Sequence, residues 1–349
     1  MTIVISRTPF RVSFFGGGTD YPAWFRNNGG RVLSTTIDKY CYITCRHLPP
    51  FFNIRHRIVW SHIETVQNIS EILHPAVREG LGYLGFTDRD GIEIHHQGDL
   101  PARAGMGTSS SFAVGLIHAL LTLRGERPSK ARLTEMAIFL EQERMGDKVG
   151  SQDQAAVAHG GFNVIDFHKD GRIEVTPVGL PEERQRQLED HLILFYTGAS
   201  RFASDIAADV IQNIPANEKQ LRRMYELVGT ATAIVSGDGA LDAFGHLLDE
   251  TWHLKRQLSA RVSTDRIDAI YARARQAGAL GGKLLGAGTS GFMLFFAPPE
   301  RHDAIRNALG DLLHVPFRFE NEGATILTSP SSYDRTVAYK ADRQMETAL

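Results

Sequence analysis

Apolar and polar residues alternate in short runs through the first third of the chain. Ile3–Ser6, Arg11–Phe15, Val32–Ile37, Tyr40–His47, Arg57–Ser61 and Ile92–His96 each read as a strand. The period then lengthens. Phe112–Leu123 and Lys130–Arg144 carry helical patterns, and GGFNVIDFHKDGRIEVTPV after them predicts two strands turning at Asp170–Gly171. The polar stretch EERQRQLED separates this block from a second one, which opens on the strand LILFYTG. Helices follow over roughly Arg201–Asn213, Asn217–Ser236, Leu241–Gln257 and Thr264–Ala277. The chain then runs through KLLGAGTSGFMLFF, a further helix and the strands PFRFE and ATILT. Strand runs and helix runs in two blocks predict an α+β fold of two domains, 1–188 and 189–349.

Composition changes this picture little. With 349 residues, 42% hydrophobic and 22% charged, the chain has ordinary soluble composition. Lysine and arginine number 38 against 40 acidic residues, a formal net charge of −2. A global basic field for nucleic acid or anionic membrane is therefore absent, and any anionic ligand must be held locally. MTIVISRTPFRV does not read as a secretory signal, and Phe112–Leu123, interrupted by Gly115 and His118, is too short to span a bilayer. Cys41 and Cys45 stand four residues apart on a strand, roughly 13 Å, too far for a disulfide between them. Together with His47 they are too widely spread for zinc, and reduced thiols in a cytoplasmic protein are expected.

Three glycine loops carry the candidate chemistry. In PARAGMGTSSS, Gly105, Met106 and Gly107 precede Thr108, Ser109, Ser110 and Ser111 at the head of an apolar helix. Helix N-termini present unpaired N–H groups and partial positive charge, and so favour phosphate. A simple cap needs one hydroxyl rather than four, which favours phosphate binding; no Gly-Lys-Ser/Thr of a Walker A loop occurs. The second loop is FFGGGTDYPAW. Gly17 and Gly18 leave room for a ligand beside Asp20, a rigid acceptor for vicinal sugar hydroxyls, while a tight turn with Thr19 or Asp20 capping a short helix is the competing reading. In the third loop, GAGTSG spans Gly286, Gly288 and Gly291 and formally matches a dinucleotide fingerprint. A strand follows where that fingerprint needs a helix, so a turn lining a cleft fits better.

Two further positions stand out. FLEQERMGDKVGSQDQ presents Asp153 between Gln152 and Gln154, and Glu141 and Glu143 differ by about 200° around a helix, so only one can face a site. Solvated helix ends produce similar patches. Arg11 is a charge inside an apolar strand, and either a structural ion pair or a catalytic role accounts for it.

RVSFFGGGTDY, PARAGMGTSSS, GSQDQ and LLGAGTSGF in that order resemble the GHMP kinases, the superfamily of galactokinase, homoserine kinase and mevalonate kinase. The resemblance covers nearly the whole chain. It implies a ribosomal-S5-like N-domain, with a left-handed βαβ crossover, and a ferredoxin-like C-domain, with the active site between them. It also implies ATP and magnesium as cofactors. Carried over by position, Gly105, Met106, Gly107, Thr108 and Ser110 wrap the ATP phosphates, and Ser109 with Glu141 (Glu143 the alternative) holds the metal. Asp153 becomes the catalytic aspartate, Arg11 the stabiliser of transferred charge, and Asp20 with Gly17, Gly18, Tyr21 and Gln152 the sugar site.

Galactokinases read G-E-H-T-D-Y where this chain has Gly16 to Tyr21, which removes galactose-binding groups. The GGGTDYPAW version, with HGGFN and YTGASR later, looks like the bacterial D-glycero-D-manno-heptose 7-phosphate kinases, with L-fucokinases the main competitor. That branch implies phosphorylation of the anomeric hydroxyl of a small-molecule sugar phosphate, for GDP-heptose and capsule, lipopolysaccharide or S-layer synthesis. A second anion site follows, with Arg201 and Lys283 as candidates. By family layout Trp60 and Ser61 lie near adenine, with core packing the competing reading of Trp60. A cytoplasmic homodimer without nucleic-acid or membrane partners completes the expectation. A non-catalytic sugar-responsive regulator on the same scaffold would be expected to lose Asp153 or damage the loop, and both are intact.

Overall fold

A computed structural model describes residues 3–49, 51–198 and 203–328. The first half runs β1 (Val4–Phe15), α1 (Pro22–Asn28), β2 (Gly30–His47), β3 (His56–Val59), β4 (Ile63–Val66), α2 (Pro75–Tyr83), β5 (Ile92–Gly98) and α3 (Thr108–Leu123). It continues through α4 (Lys130–Phe139), α5 (Gln152–His159), β6 (Phe162–Phe167) and β7 (Ile173–Pro177). The second half holds α6 (Glu182–Asp190), β8 (Leu192–Gly198), α7 (Ala203–Gln212), α8 (Glu218–Ser236), α9 (Asp242–Gln257) and α10 (Asp265–Gln276). β9 (Gly281–Leu284), β10 (Gly291–Phe296), α11 (His302–Ala308), β11 (Leu313–His314), β12 (Phe319–Glu320) and β13 (Thr325–Thr328) complete it.

Pairs of strands expected as separate units are continuous. Arg7 to Phe10 joins the first two into β1, and Asp38–Lys39 is a bulge inside β2, where Pro9 pairs with Tyr40 but Phe10 with Ile37. The 18-residue β2 organises the first sheet. Its C-terminal half pairs with β5, its N-terminal half with β6, and β1 runs antiparallel along most of its length. β3 lies parallel to β5.

The second sheet has the order β11-β8-β10-β9, all antiparallel. Counted along the chain that is fourth, first, third, second, the ferredoxin-like order. The expected boundary after residue 188 falls inside α6, and the last two strands do not stay with the second sheet. β12 pairs with β2 and β13 with β1, so residues 319–328 return to close the first sheet. An open edge on β1 would expose unpaired backbone groups, and β13 covers it.

The two lobes share a core. Phe14 and Phe15 of β1 meet Phe244 of α9 edge-on at 5.5 and 5.0 Å, and Phe244 packs on Phe296 of β10 at 5.7 Å. α3 is apolar on nearly every face and is buried from Ser110 to Thr122 apart from His118, as a central helix must be. Its burial fixes the N-terminus, and so the glycine loop before it, against both lobes. No helix among the described residues is long and apolar enough to cross a membrane.

Candidate active site

The phosphate-type loop is built by close backbone contact. Gly105 and Gly107 both take left-handed backbone, with φ of 81° and 72°. A side chain on Gly105 would meet the Leu285 carbonyl at 2.4 Å, and one on Gly286 would meet the Gly105 Cα at 2.3 Å. The third glycine loop therefore lies backbone to backbone on the first, which only glycines permit. Met106 is buried beneath the loop, and Arg103 is held at a positive φ of 59° beside it.

Each hydroxyl after Gly107 has a different partner. Thr108 Oγ1 accepts the Arg103 N–H (3.1 Å), and Ser111 Oγ donates to the Pro9 carbonyl (2.9 Å). Ser109 and Ser110 donate to the two oxygens of one carboxylate, Glu141, at 2.5 and 2.7 Å. Gln154 Nε2 adds a third bond to Glu141 at 2.6 Å. Glu141 stands in a π-helical turn, Leu140–Arg144, that continues α4. The widened turn carries Glu141 inward to 0% exposure and leaves Glu143 outside. Burial pushes the Glu141 carboxyl up to about 7, against the lowering effect of its three hydrogen bonds.

Arg11 connects this pocket to the second carboxylate. It is 4% exposed, and its Nε and Nη2 donate to the two oxygens of Asp153 at 2.7 Å each. Its Nη1 donates to the Gly105 carbonyl at 2.7 Å. One guanidinium thus fixes Asp153, in the first turn of α5, relative to the glycine loop. Arg11 thus forms the ion pair that one reading expected, and it forms it beside the glycine loop.

The GGG loop approaches from the other side. Ser13 Oγ donates to Gln152 Oε1 (2.7 Å), and Gly17 faces that pair. Gly18 packs instead toward Leu221 and Leu258 of the second lobe. Asp20 is 2% exposed and braces the turn, accepting the Gly18 N–H at 2.9 Å and the Gln152 N–H at 3.4 Å. Gly150 lies so near that a side chain there would strike the Asp20 carboxylate at 1.8 Å. Burial, with the Asp153 charge adding to it, holds the Asp20 carboxyl above its ordinary value, and burial beside Asp20 pushes the Tyr21 phenol up. The residue that caps α1 is Tyr21, rather than Thr19 or Asp20, and it does so without a side-chain bond.

The candidates for a distal anion divide. Arg201 lies outside the described residues. Lys283 is 3% exposed, and its ammonium donates to the Ser13 and Phe14 carbonyls at 2.9 Å, tying β9 to β1 rather than facing open space. Gly288 turns the third loop against Val262. Trp60 is half-buried and donates to Glu64 at 2.7 Å. His74 meets its edge at 4.8 Å and stacks on Phe112 of α3 at 4.6 Å, while Ser61 is exposed.

Sequence reasoning missed Ser13, which a polar residue in an apolar strand could have signalled. It also missed Gln154 as a Glu141 donor, and Lys255, whose place in HLKRQ reads as an ordinary basic helix C-terminus.

A phosphate-type loop, a bidentate arginine–aspartate pair and a buried glutamate meet between two lobes, one of them ferredoxin-like. The family description "GHMP kinases N terminal domain" matches residues 67–161, and "GHMP kinases C terminal" matches 230–314, together just over half of the chain. The chain belongs to the GHMP kinases. It is accordingly a phosphotransferase with an alcohol group as acceptor.

A D-glycero-alpha-D-manno-heptose 7-phosphate kinase of Campylobacter jejuni is 28% identical over 93% of this chain and 98% of its own length. The bifunctional fucokinase/GDP-fucose pyrophosphorylase of Arabidopsis thaliana is 26% identical over 83% of this chain, which spans 29% of that longer protein. The crystal structure of a D-glycero-D-manno-heptose 1-phosphate kinase from Bacteroides thetaiotaomicron superposes with a TM-score of 0.70, covering 94% of this chain and all of that one at 24% identity. This last likeness supports the fold alone.

The donor set fits magnesium. Ser109 and Glu141 offer a hydroxyl and a carboxylate, hard oxygen ligands, and the carboxylate is buried with only neutral donors around it.

Proposed function

We propose that the chain is an ATP-dependent sugar kinase that phosphorylates the anomeric hydroxyl of D-glycero-D-manno-heptose 7-phosphate, giving the 1,7-bisphosphate. The observation that carries this reading is the full-length likeness to the Campylobacter jejuni heptose 7-phosphate kinase, together with a first loop that offers glycine next to Ser13 and Gln152. The same reading makes the chain a cytoplasmic homodimer that feeds GDP-heptose and capsule or lipopolysaccharide synthesis.

The ATP phosphates lie on the N–H groups of Gly105–Ser110, where the α3 dipole favours negative charge. Trp60 lies toward the adenine. Magnesium, held by Ser109 and Glu141, would neutralise phosphate charge. Asp20 and Tyr21 shape the sugar site, and Gln152 orients the acceptor. An ionised carboxylate has about four lone-pair sites. Arg11 takes two on Asp153, leaving others to accept the C1 hydroxyl proton. Held against both Asp153 and the Gly105 carbonyl, Arg11 stabilises charge as the phosphoryl group moves between them. Phosphoryl transfer rests mainly on positioning and charge neutralisation, which this geometry supports. Arg201 is the proposed contact for the 7-phosphate.

ADP release tests the reading with the heptose 7-phosphate, D-mannose, L-fucose and D-galactose as acceptors. We expect the heptose phosphate to lead by about 10²-fold in kcat/KM, because a site built for a phosphate and left without one forfeits a few kcal/mol. L-fucose in first place would keep the kinase and replace the substrate. Turnover of no acceptor despite ATP binding would favour a sugar-responsive regulator.

A further inference from the structure

Two lysines of the second lobe stand beside Arg11 without a carboxylate partner among the described residues. Lys283 on β9 is spent on the Ser13 and Phe14 carbonyls. Lys255, half-buried near the end of α9, donates to the carbonyls of Leu284 (2.8 Å) and Gly286 (2.5 Å). An ammonium has three donors, and these bonds use two. The third has no partner among the described residues.

The place of Lys255 is set by what it grips. Gly286 is the residue that lies on Gly105, and the Gly105 carbonyl is held in turn by Arg11. Lys255 therefore reaches the phosphate-type loop from the second lobe, as Arg11 reaches it from the first. Burial, then the nearby guanidinium, lowers the Lys255 ammonium to about 7. Burial, then Lys255 and Arg11, lowers Lys283 well below its ordinary value. Three basic groups converge here, and among the described residues their direct carboxylate partner is Asp153, on Arg11. Positive charge gathered in a partly desolvated place is costly unless an anion arrives to match it.

We propose that Lys255 is a further catalytic residue, contacting the γ-phosphoryl group of ATP during transfer. The proposal rests on the kinase reading above. In the step, the bond from the γ-phosphorus to the oxygen bridging the β-phosphate breaks, and ADP leaves with the electron pair. The acceptor oxygen bonds to phosphorus, and its proton passes to Asp153. The net negative charge is borne by the phosphoryl oxygens throughout, and a compact ammonium matches one of them as a point charge. The catalytic cations thus come from both lobes, so transfer requires the lobes to be packed together.

Calorimetric titration of ADP and ATP into the full chain, with and without Lys255→Met, isolates the γ-phosphate. We expect Lys255→Met to bind ADP as the unaltered chain does and to melt within about 2 °C of it. It should lose about tenfold of the preference for ATP over ADP, and kcat should fall by about 10²-fold. Lys255→Arg should recover part of both. It also supplies a pH signature. The charged groups around Lys255 are Arg11 from β1 and Lys283 from β9, with Asp153 paired to Arg11 and Asp20 acting on Lys283. In the unaltered chain kcat/KM for ATP should fall as pH rises past about 7, where the ammonium loses its proton. In Lys255→Arg that limb should flatten, and this comparison decides the matter if Lys255→Met does not fold. An unchanged ATP preference, or an equal weakening of ADP and ATP binding, overturns the proposal. A wild-type chain that binds neither nucleotide brings down the kinase reading as well, a different signature.

Discussion

Glu141 and Asp153 stand at the two ends of one short connection, and the protein treats them in opposite ways. Glu141 is fully buried and held by three neutral donors, Ser109, Ser110 and Gln154. Asp153 keeps 24% of its side chain exposed and has its charge matched by Nε and Nη2 of Arg11. Neutral donors do not repay the desolvation of a carboxylate, so Glu141 holds its proton up to about 7. A pocket of oxygens short of positive charge is suited to a cation. A charge-matched, partly open carboxylate is suited to a hydroxyl. The two pockets differ in where their positive charge comes from, and substitutions on each side can test that difference.

Asp153→Asn carries the largest expected effect. It removes the proposed proton acceptor and leaves Arg11 buried beside a neutral amide. kcat should fall by about 10³-fold or more. Losing the partner of a buried guanidinium should also lower stability by roughly 3 kcal/mol. ADP affinity should hold, because the loop rests on backbone groups. ADP release, chemical denaturation and nucleotide titration check the three parts. An active Asp153→Asn would mean that position alone drives transfer.

Glu141→Gln should behave differently. We expect a loss of about 10²-fold in kcat and a weakened response to added magnesium. Without metal, however, the substitution should not destabilise. Glu141 binds its proton more tightly folded (about 7) than unfolded (4.5), so its ionisation makes metal-free stability fall as pH rises from about 4.5 to about 7. Glutamine abolishes that slope. Denaturation at about pH 5 and about pH 8 in a chelator should show a decline for the unaltered chain that the variant lacks. Equal slopes would place charge compensation in the Glu141 pocket already.

These two residues also show how far the sequence could be read. Asp153 stood out between two glutamines after a glycine turn, a pattern that solvated helix ends share, and only the resemblance singled it out. Glu141 was legible only as one of a pair, since a regular helix leaves the choice with Glu143 open, and the π-helical turn that decides it has no pattern in residue types. The three glycine loops and the order of helices in the second half were plain from spacing. That two of the loops touch, Gly105 against Gly286, was not, because contact between backbones leaves only the absence of side chains as a signal. The return of β12 and β13 to the first sheet was equally hidden. A short strand states its own pattern but not its partner, and pairing is set by which edge is open. Lys255 was hidden because its role depends on the loop it reaches and not on its helix.

Gly17→Ala should have the smallest effect and sharpens the comparison from the acceptor side. Gly17 is absent from the left-handed backbone region, and an added methyl would sit 3.6 Å from Gln152 Nε2 and 3.7 Å from Ser13 Oγ, ordinary contacts. The fold should accept it, with a melting temperature within about 1 °C. The methyl nonetheless takes up space beside the Ser13–Gln152 pair, next to Asp153. KM for the acceptor should rise by about three- to tenfold while KM for ATP stays level. A rise in KM for ATP alone would assign the GGG loop to the nucleotide, and Asp153 would then need an acceptor approaching from the Glu141 side. Level values for both would mean that the acceptor does not reach Gly17, and that its hydroxyl meets Asp153 from the second lobe.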